Sequence, residues 1–299
     1  MKKIKIFEMG PRDGLQSIKE IISSEKKIQL INLLQSTGLM DIEVGSFVSP
    51  KWVPQMADSK IVYEGIEKKE NINLSVLVPN IKGYLQAREL EVNEVAVFTS
   101  ATEGFSKKNI NCSIDESIER FKVIISESQI DNAKVRGYVS CIYKCPVDGF
   151  VKPDNVYRVV DKLLETGCYE ISLGDTLGIG TPRKTEELLS LLVKKINEKY
   201  LACHFHDTYG QALANILKAL EFGITTFDSS VSGLGGCPYA RGATGNVATE
   251  DVVYMLEDLG YSTGIDMDAL LKTSKFITEE MGLKNNSKVS KALLSSNYG

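Results

Sequence analysis

The sequence has only two histidines in 299 residues, and it is short of several other signals as well. No apolar run is long enough to cross a bilayer, which excludes a helical membrane protein. Eight prolines and a hydrophobic content of 43% exclude a disordered or low-complexity chain. Positive charge is not in excess: the net of -4 argues against a nucleic-acid partner and leaves room only for a local basic patch facing a phosphorylated ligand. The opening MKKIKIFEMG has lysines without a following apolar stretch. It reads as a first strand rather than a targeting signal, so the expected compartment is the cytoplasm. Cys112, Cys141, Cys145, Cys168, Cys203 and Cys237 are dispersed, and the CxxxC of Cys141 and Cys145 lacks the second pair that a zinc site needs. They are expected to be thiols.

What is present is a regular alternation. Short β-branched runs at residues 4–9, 40–45, 73–78, 94–99, 134–141, 169–175, 201–206 and 225–231 are separated by amphipathic helical patterns. Such alternation implies parallel strands joined by right-handed crossovers, and eight units close into a barrel. An open doubly wound sheet is the alternative, but no GxGxxG opens a helix after the first strand. The expected fold is α/β, a (β/α)8 TIM barrel with extra C-terminal helices. Residues 1–275 would form the catalytic domain, with 276–299 as an extension packed on the barrel or free as a tail.

Both histidines fall in one tetrapeptide, HFHD, at the end of the seventh strand. Strand geometry turns His204 and His206 to the same side and Phe205 to the other. In a barrel, residues at the C-terminal ends of strands share one rim, where chemistry is placed. The polar residues there are Arg12 and Asp13 after the first strand, Glu43 closing the second and Asp175 closing the sixth. The two histidines and a glycine-rich loop, GLGGCPYARGATGN (233–246), which carries Cys237 and ends at Asn246, complete the set. Two imidazoles, a carboxylate and an amide oxygen suit a divalent cation such as Mg²⁺ or Mn²⁺ better than a closed zinc site.

Several blocks resemble one family. SVSGLGGCPYARGATGN (230–246) is similar to the signature of the 3-hydroxy-3-methylglutaryl-CoA lyases along its full length. GPRDGLQ (10–16), SFVSPKWVPQMAD (46–58), KKNINCS (107–113), RGYVSC (136–141), CYEISLGDT (168–176) and HDTYGQALAN (206–215) match in the same order. The resemblance implies a metal held by Asp13, His204, His206 and Asn246, with Arg12 beside it, Cys237 on a lid, and Glu43 and Asp175 lining the site. It further implies an acyl-CoA substrate, a homodimer, and a reaction of leucine degradation or ketone-body formation. The last cysteine is Cys237, so the thiol-linked control that animal members derive from a C-terminal cysteine should be absent.

The implied chemistry is retro-Claisen cleavage of (S)-3-hydroxy-3-methylglutaryl-CoA to acetoacetate and acetyl-CoA. Catalytic roles are expected for Arg12, Asp13, His204 and Cys237, with Asp13 or His204 taking the hydroxyl proton and Cys237 or His204 protonating the enolate. Arg12, with its forked permanent cation, suits the thioester carbonyl. Substrate contacts are expected from Arg12, Glu43, Tyr138 and Asp175; Lys19 and Lys51, near the rim, are candidate partners of CoA phosphates, though both read more simply as solvated lysines. The rivals are a Claisen-type synthase on the same barrel, which usually carries a regulatory domain after it, and a non-catalytic binding protein.

Overall fold

A computed structural model describes residues 2–236 and 244–296. Among these residues ten strands run β1 (Lys5–Glu8), β2 (Asp41–Ser46), β3 (Asn73–Leu77), β4 (Glu94–Ser100), β5 (Lys134–Ser140), β6 (Lys144–Cys145), β7 (Gly149–Phe150), β8 (Glu170–Asp175), β9 (Leu201–Phe205) and β10 (Thr226–Ser229). Eight of them close in the order β1-β10-β9-β8-β5-β4-β3-β2, and β6 with β7 forms a separate small hairpin. All eight expected strands are present, all pairings in the barrel are parallel, and closure comes from the register Lys5 to Thr226 through Glu8 to Ser229. The barrel prediction is therefore borne out. The hairpin and an irregular turn over Gly10–Gly14 carry no periodic signal, and the sequence pattern missed both.

Helices form where the apolar spacing asked for them, with terminal residues that satisfy free backbone groups. Ser113 and Glu116 make a reciprocal capping box at the start of Ile114–Ile130. Pro153 and Pro182 open their helices at a position where a missing N–H costs nothing. The main core lies between strands and helices and includes Phe205, which turns away from the two histidines flanking it, as the period-two pattern required. A second cluster of Phe7, Met9, Leu77, Ala96 and Tyr138, with Val48 and Phe98 against it, fills the barrel's interior. No helix among the described residues is long and apolar enough to cross a membrane.

After β10, the helix Met267–Glu279 packs on Ser24–Leu34, and the last helix, Lys288–Ser296, packs on Thr249–Asp258. The chain end thus covers the barrel as a helix as far as Ser296.

The N-terminal ends of the strands are plugged by polar groups. Glu94 accepts from Asn73 Nδ2 at 2.9 Å and Tyr169 Oη at 2.9 Å, while Glu170 pairs with Lys5 at 3.1 Å and accepts from Thr226 Oγ1 at 3.1 Å. Burial pushes the Glu94 carboxyl from 4.5 up to about 7. Glu8 and Glu250, also buried, are pushed to about 7 in the same way.

These three acids bind protons more tightly folded than unfolded, so their stabilising contribution is complete below 4.5 and is lost as pH rises toward 7. Thermal denaturation should accordingly show a lower melting temperature at pH 8 than at pH 6. Glu94→Gln should reduce that fall, and a melting temperature that rises with pH, or an identical slope in the variant, would contradict the assignment.

Candidate active site

The turn Gly10–Gly14 that follows β1 carries Arg12 and Asp13 over the barrel mouth, both buried. Its shape comes from a wide i to i+5 hydrogen bond, Gly14 N–H to the Met9 carbonyl at 3.0 Å. Glu8 at the end of β1 anchors it by accepting from Gly10 N at 2.8 Å, and joins it to the opposite side of the rim through Val231 N at 2.9 Å and Thr249 Oγ1 at 2.7 Å.

Arg12 donates from Nε to Glu43 and from Nη1 to Asp13 Oδ1 at 2.8 Å. Glu43 also accepts from Tyr138 Oη at 2.9 Å, and the Arg12 guanidinium lies 5.7 Å from the Tyr138 ring centre. Glu43 does not close its strand, as expected from sequence, but sits in its middle, just before a register shift between Glu43 and Gly45. The pleat at that point turns its side chain into the barrel, where it fixes Arg12. Burial raises the Glu43 carboxyl despite the adjacent Arg12.

Asp13 is the centre of the cluster. Its Oδ1 accepts from Arg12 and from Gln16 Nε2 at 2.8 Å, and its Oδ2 accepts from Asn246 Nδ2 at 2.8 Å. Burial alone would raise its pKa, but Arg12 and the two imidazoles prevail and hold it well below the usual carboxylate range. The Nε2 atoms of His204 and His206 lie 3.9 and 3.8 Å from Asp13 Oδ2. The histidine rings are 5.3 Å apart, centre to centre.

His204 is oriented from behind. Its Nδ1 lies 3.2 Å from Asp228 Oδ2, which fixes the tautomer with the proton on Nδ1 and leaves Nε2 free toward Asp13. Asp228 is held in turn by Arg136 Nη2 at 2.7 Å and Nη1 at 3.1 Å, and by Ser172 Oγ at 2.6 Å. Burial opposes ionisation of Asp228, yet Arg136 and His204 lower its pKa far below normal. Asp228, Arg136, Ser172, Glu8 and Gln16 were all missed in the sequence reading. The available signal was polarity at strand positions whose neighbours face the outer core, as in TFDS of β10 and VRGY of β5.

The geometry tests whether this donor set suits a cation. Ligand atoms of Asp13, His204 and His206 lie within 4.8 Å of one another. Separations of 3.8 and 3.9 Å are too long for hydrogen bonds but are spanned by two metal–ligand bonds of about 2.1 Å. Asn246 Oδ1 is buried without a hydrogen-bond partner, and Asn246 is joined to His206 by a β-bridge. The connected network joins the four carboxyl groups of Asp13, Glu43, Asp228 and Glu170 to three cations, Arg12, Arg136 and Lys5, so positive charge is in deficit. The residues fit a divalent cation.

Other expected site residues fare differently. Asp175 accepts from Gly180 N at 2.6 Å and Ile179 N at 3.2 Å, so both its oxygens are engaged in shaping the loop after β8, and burial raises its pKa against those N–H donors. Lys19 and Lys51 are exposed beyond the rim turns. Cys237 lies outside the described residues.

The family profile that matches is HMGL-like, over residues 3–277. A mitochondrial hydroxymethylglutaryl-CoA lyase of Homo sapiens is 53% identical over 291 residues, covering 97% of this chain and 90% of its own. A 3-hydroxy-3-isohexenylglutaryl-CoA/hydroxymethylglutaryl-CoA lyase of Pseudomonas aeruginosa is 52% identical over 293 residues, covering 98% of each. The crystal structure of a hydroxymethylglutaryl-CoA lyase from Pseudomonas aeruginosa superimposes with a TM-score of 0.96 at 52% identity, over 99% of this chain and 98% of that one.

Loss of the carboxylate behind His204 should weaken the metal centre without removing a ligand. Asp228→Asn is expected to lower Mn²⁺ affinity by about 10- to 100-fold, read by titration calorimetry below the variant's melting temperature. Wild-type affinity in that variant would show that Asp228 does not organise His204.

Proposed function

The chain belongs to the HMGL-like family, and from that premise we propose how its rim residues carry out the hydroxymethylglutaryl-CoA lyase reaction. The activity is metal-dependent carbon–carbon cleavage of 3-hydroxy-3-methylglutaryl-CoA into acetoacetate and acetyl-CoA. The observation that carries the assignment of roles is the juxtaposition of one buried guanidinium with a three-residue ligand cluster on a shared carboxylate, Asp13.

Asp13, His204, His206 and Asn246 would hold the cation, and the mixed oxygen and imidazole donors favour Mg²⁺ or Mn²⁺. When bound, it supplies positive charge beside the tertiary hydroxyl as that group loses its proton. Asp13 and His204 both belong to the ligand cluster, so the hydroxyl proton passes to one of these two side chains, with His204 held in place by Asp228 behind it. Arg12 stabilises the thioester carbonyl as the departing carbon becomes an enolate. Glu43 and Tyr138 hold that guanidinium rigid, so little reorganisation is needed during the reaction. The apolar lining of Met9, Leu77 and Ala96 beneath it keeps bulk water from the carbanion.

Purified protein should release acetoacetate from (S)-3-hydroxy-3-methylglutaryl-CoA, lose the activity in EDTA and regain it with Mg²⁺ or Mn²⁺. Arg12→Gln should lower kcat by about 100-fold or more while leaving Mn²⁺ affinity within about threefold. Cleavage that persists after complete metal removal, or an Arg12 variant that keeps full turnover, would overturn these roles.

A further inference from the structure

Asn246 is the one proposed ligand delivered by a loop rather than by a barrel strand or the turn after β1, so something must fix the loop's two stems. The stems Gly233–Gly236 and Thr244–Asn246 run side by side, joined by a bridge between Gly236 and Thr244. They touch so closely that a Cβ on Gly245 would meet the Gly235 backbone at 2.5 Å. Asn246 Nδ2 donates to the Leu234 carbonyl at 3.1 Å, which makes the first stem the immediate support of the ligand side chain.

The root of that stem is strained. Ser232 has a φ of 59°, a left-handed conformation that a side chain other than glycine's disfavours. It persists because its neighbours hold it: Ser232 N donates to both oxygens of Glu250 at 3.0 Å, and its carbonyl accepts from Asn286 N at 2.8 Å. The Asn286 side chain adds a second clasp, Nδ2 to the Gly233 carbonyl at 3.1 Å. Gly233 is wedged between the two asparagines, with Asn286 Cβ 3.2 Å and the Asn246 carbonyl 3.4 Å from where its own Cβ would stand.

Asn286 belongs to the C-terminal segment, and that segment is itself pinned. Asp251 accepts from Ser287 Oγ at 2.6 Å, Val289 N at 2.9 Å and Lys288 N at 3.2 Å, capping the last helix. A chain of direct contacts therefore runs from the helix Thr249–Asp258 through Ser287 and Asn286 to Gly233, Leu234 and Asn246.

We propose that Asn286 is a positioning residue for the metal centre: it clasps the Ser232–Gly233 turn and so sets where Asn246 presents its amide to Asp13. This inference rests on the reading of Asn246 as a ligand. No hydrogen bond of Asn286 reaches the metal cluster; its effect is transmitted through Gly233 and Leu234.

The test measures Mn²⁺ affinity, by electron paramagnetic resonance of the free ion, in the full-length protein and in N246A, N286A and N286D, together with kcat and KM. N246A should weaken binding by about 10- to 100-fold, and N286A by about 3- to 10-fold, the effect of one hydrogen bond. N286D keeps the shape but sets an acceptor against the Gly233 carbonyl, so it should weaken binding at least as much as N286A. Both Asn286 variants should lower kcat with little change in KM. If N246A weakens binding and the Asn286 variants stay within twofold of wild type in affinity and kcat, the positioning role is wrong and Asn246 remains a ligand. If N246A itself binds normally, the reading of Asn246 fails and the clasp has no metal centre to position. Should N286A not accumulate as folded protein, N286S is measured under the same criteria.

Discussion

A wholly buried guanidinium governs the interior of this barrel. Arg136 has no access to solvent, and an unpaired charge at that depth would cost several kcal/mol. The fold meets this with Glu170 on β8 and Asp228 on β10, and with the rings of Phe7 and Tyr138, which lie 4.3 and 5.3 Å from the guanidinium centre. Asp228 then has a fixed position and a negative charge, and it is this carboxylate that orients His204. The demand of one buried cation for partners thus becomes the orientation of a metal ligand.

The same logic continues up to the rim. Tyr138 sits between Arg136 and Glu43, Glu43 holds Arg12, and Arg12 holds Asp13. Every charged side chain in the series faces a partner of opposite sign or a hydrogen-bond donor, except at the top, where carboxylates and imidazoles converge with lone pairs left over. That remaining concentration of donors, above the interior cluster of Phe7, Met9 and Leu77, is what a cation and an anionic acyl-CoA would complete. Rigid placement by strands and by the short turn after β1 accounts for most of the site, and Asn246 is the exception that needs support from the C-terminal segment.

Most of this was legible in the sequence, for identifiable reasons. The eight strands announce themselves because each is a short β-branched run between amphipathic helices, and HFHD marks the rim because strand alternation forces its histidines together. Asp13 and Arg12 were readable from GPRDGLQ and its resemblance to a known family. Asp228, Arg136 and Ser172 were not, because they lie within strands, where a polar residue facing a filled barrel looks like any solvent-facing position until closure decides which side is inside. Glu43 was read as closing its strand, whereas it lies inside β2 just before a register shift at Gly45 that leaves no trace in composition. The clasp between Asn286 and Gly233 joins residues 53 apart, and nothing local in NNSK announces it.

Anomalous diffraction at the manganese edge, from crystals grown with Mn²⁺, tests the central claim most directly. The account predicts one strong peak within about 2.3 Å of Asp13 Oδ2 and of Nε2 on both His204 and His206, with the Nδ1 of His204 still bonded to Asp228. A peak elsewhere in the barrel, or none at this cluster in metal-replete crystals, would contradict it.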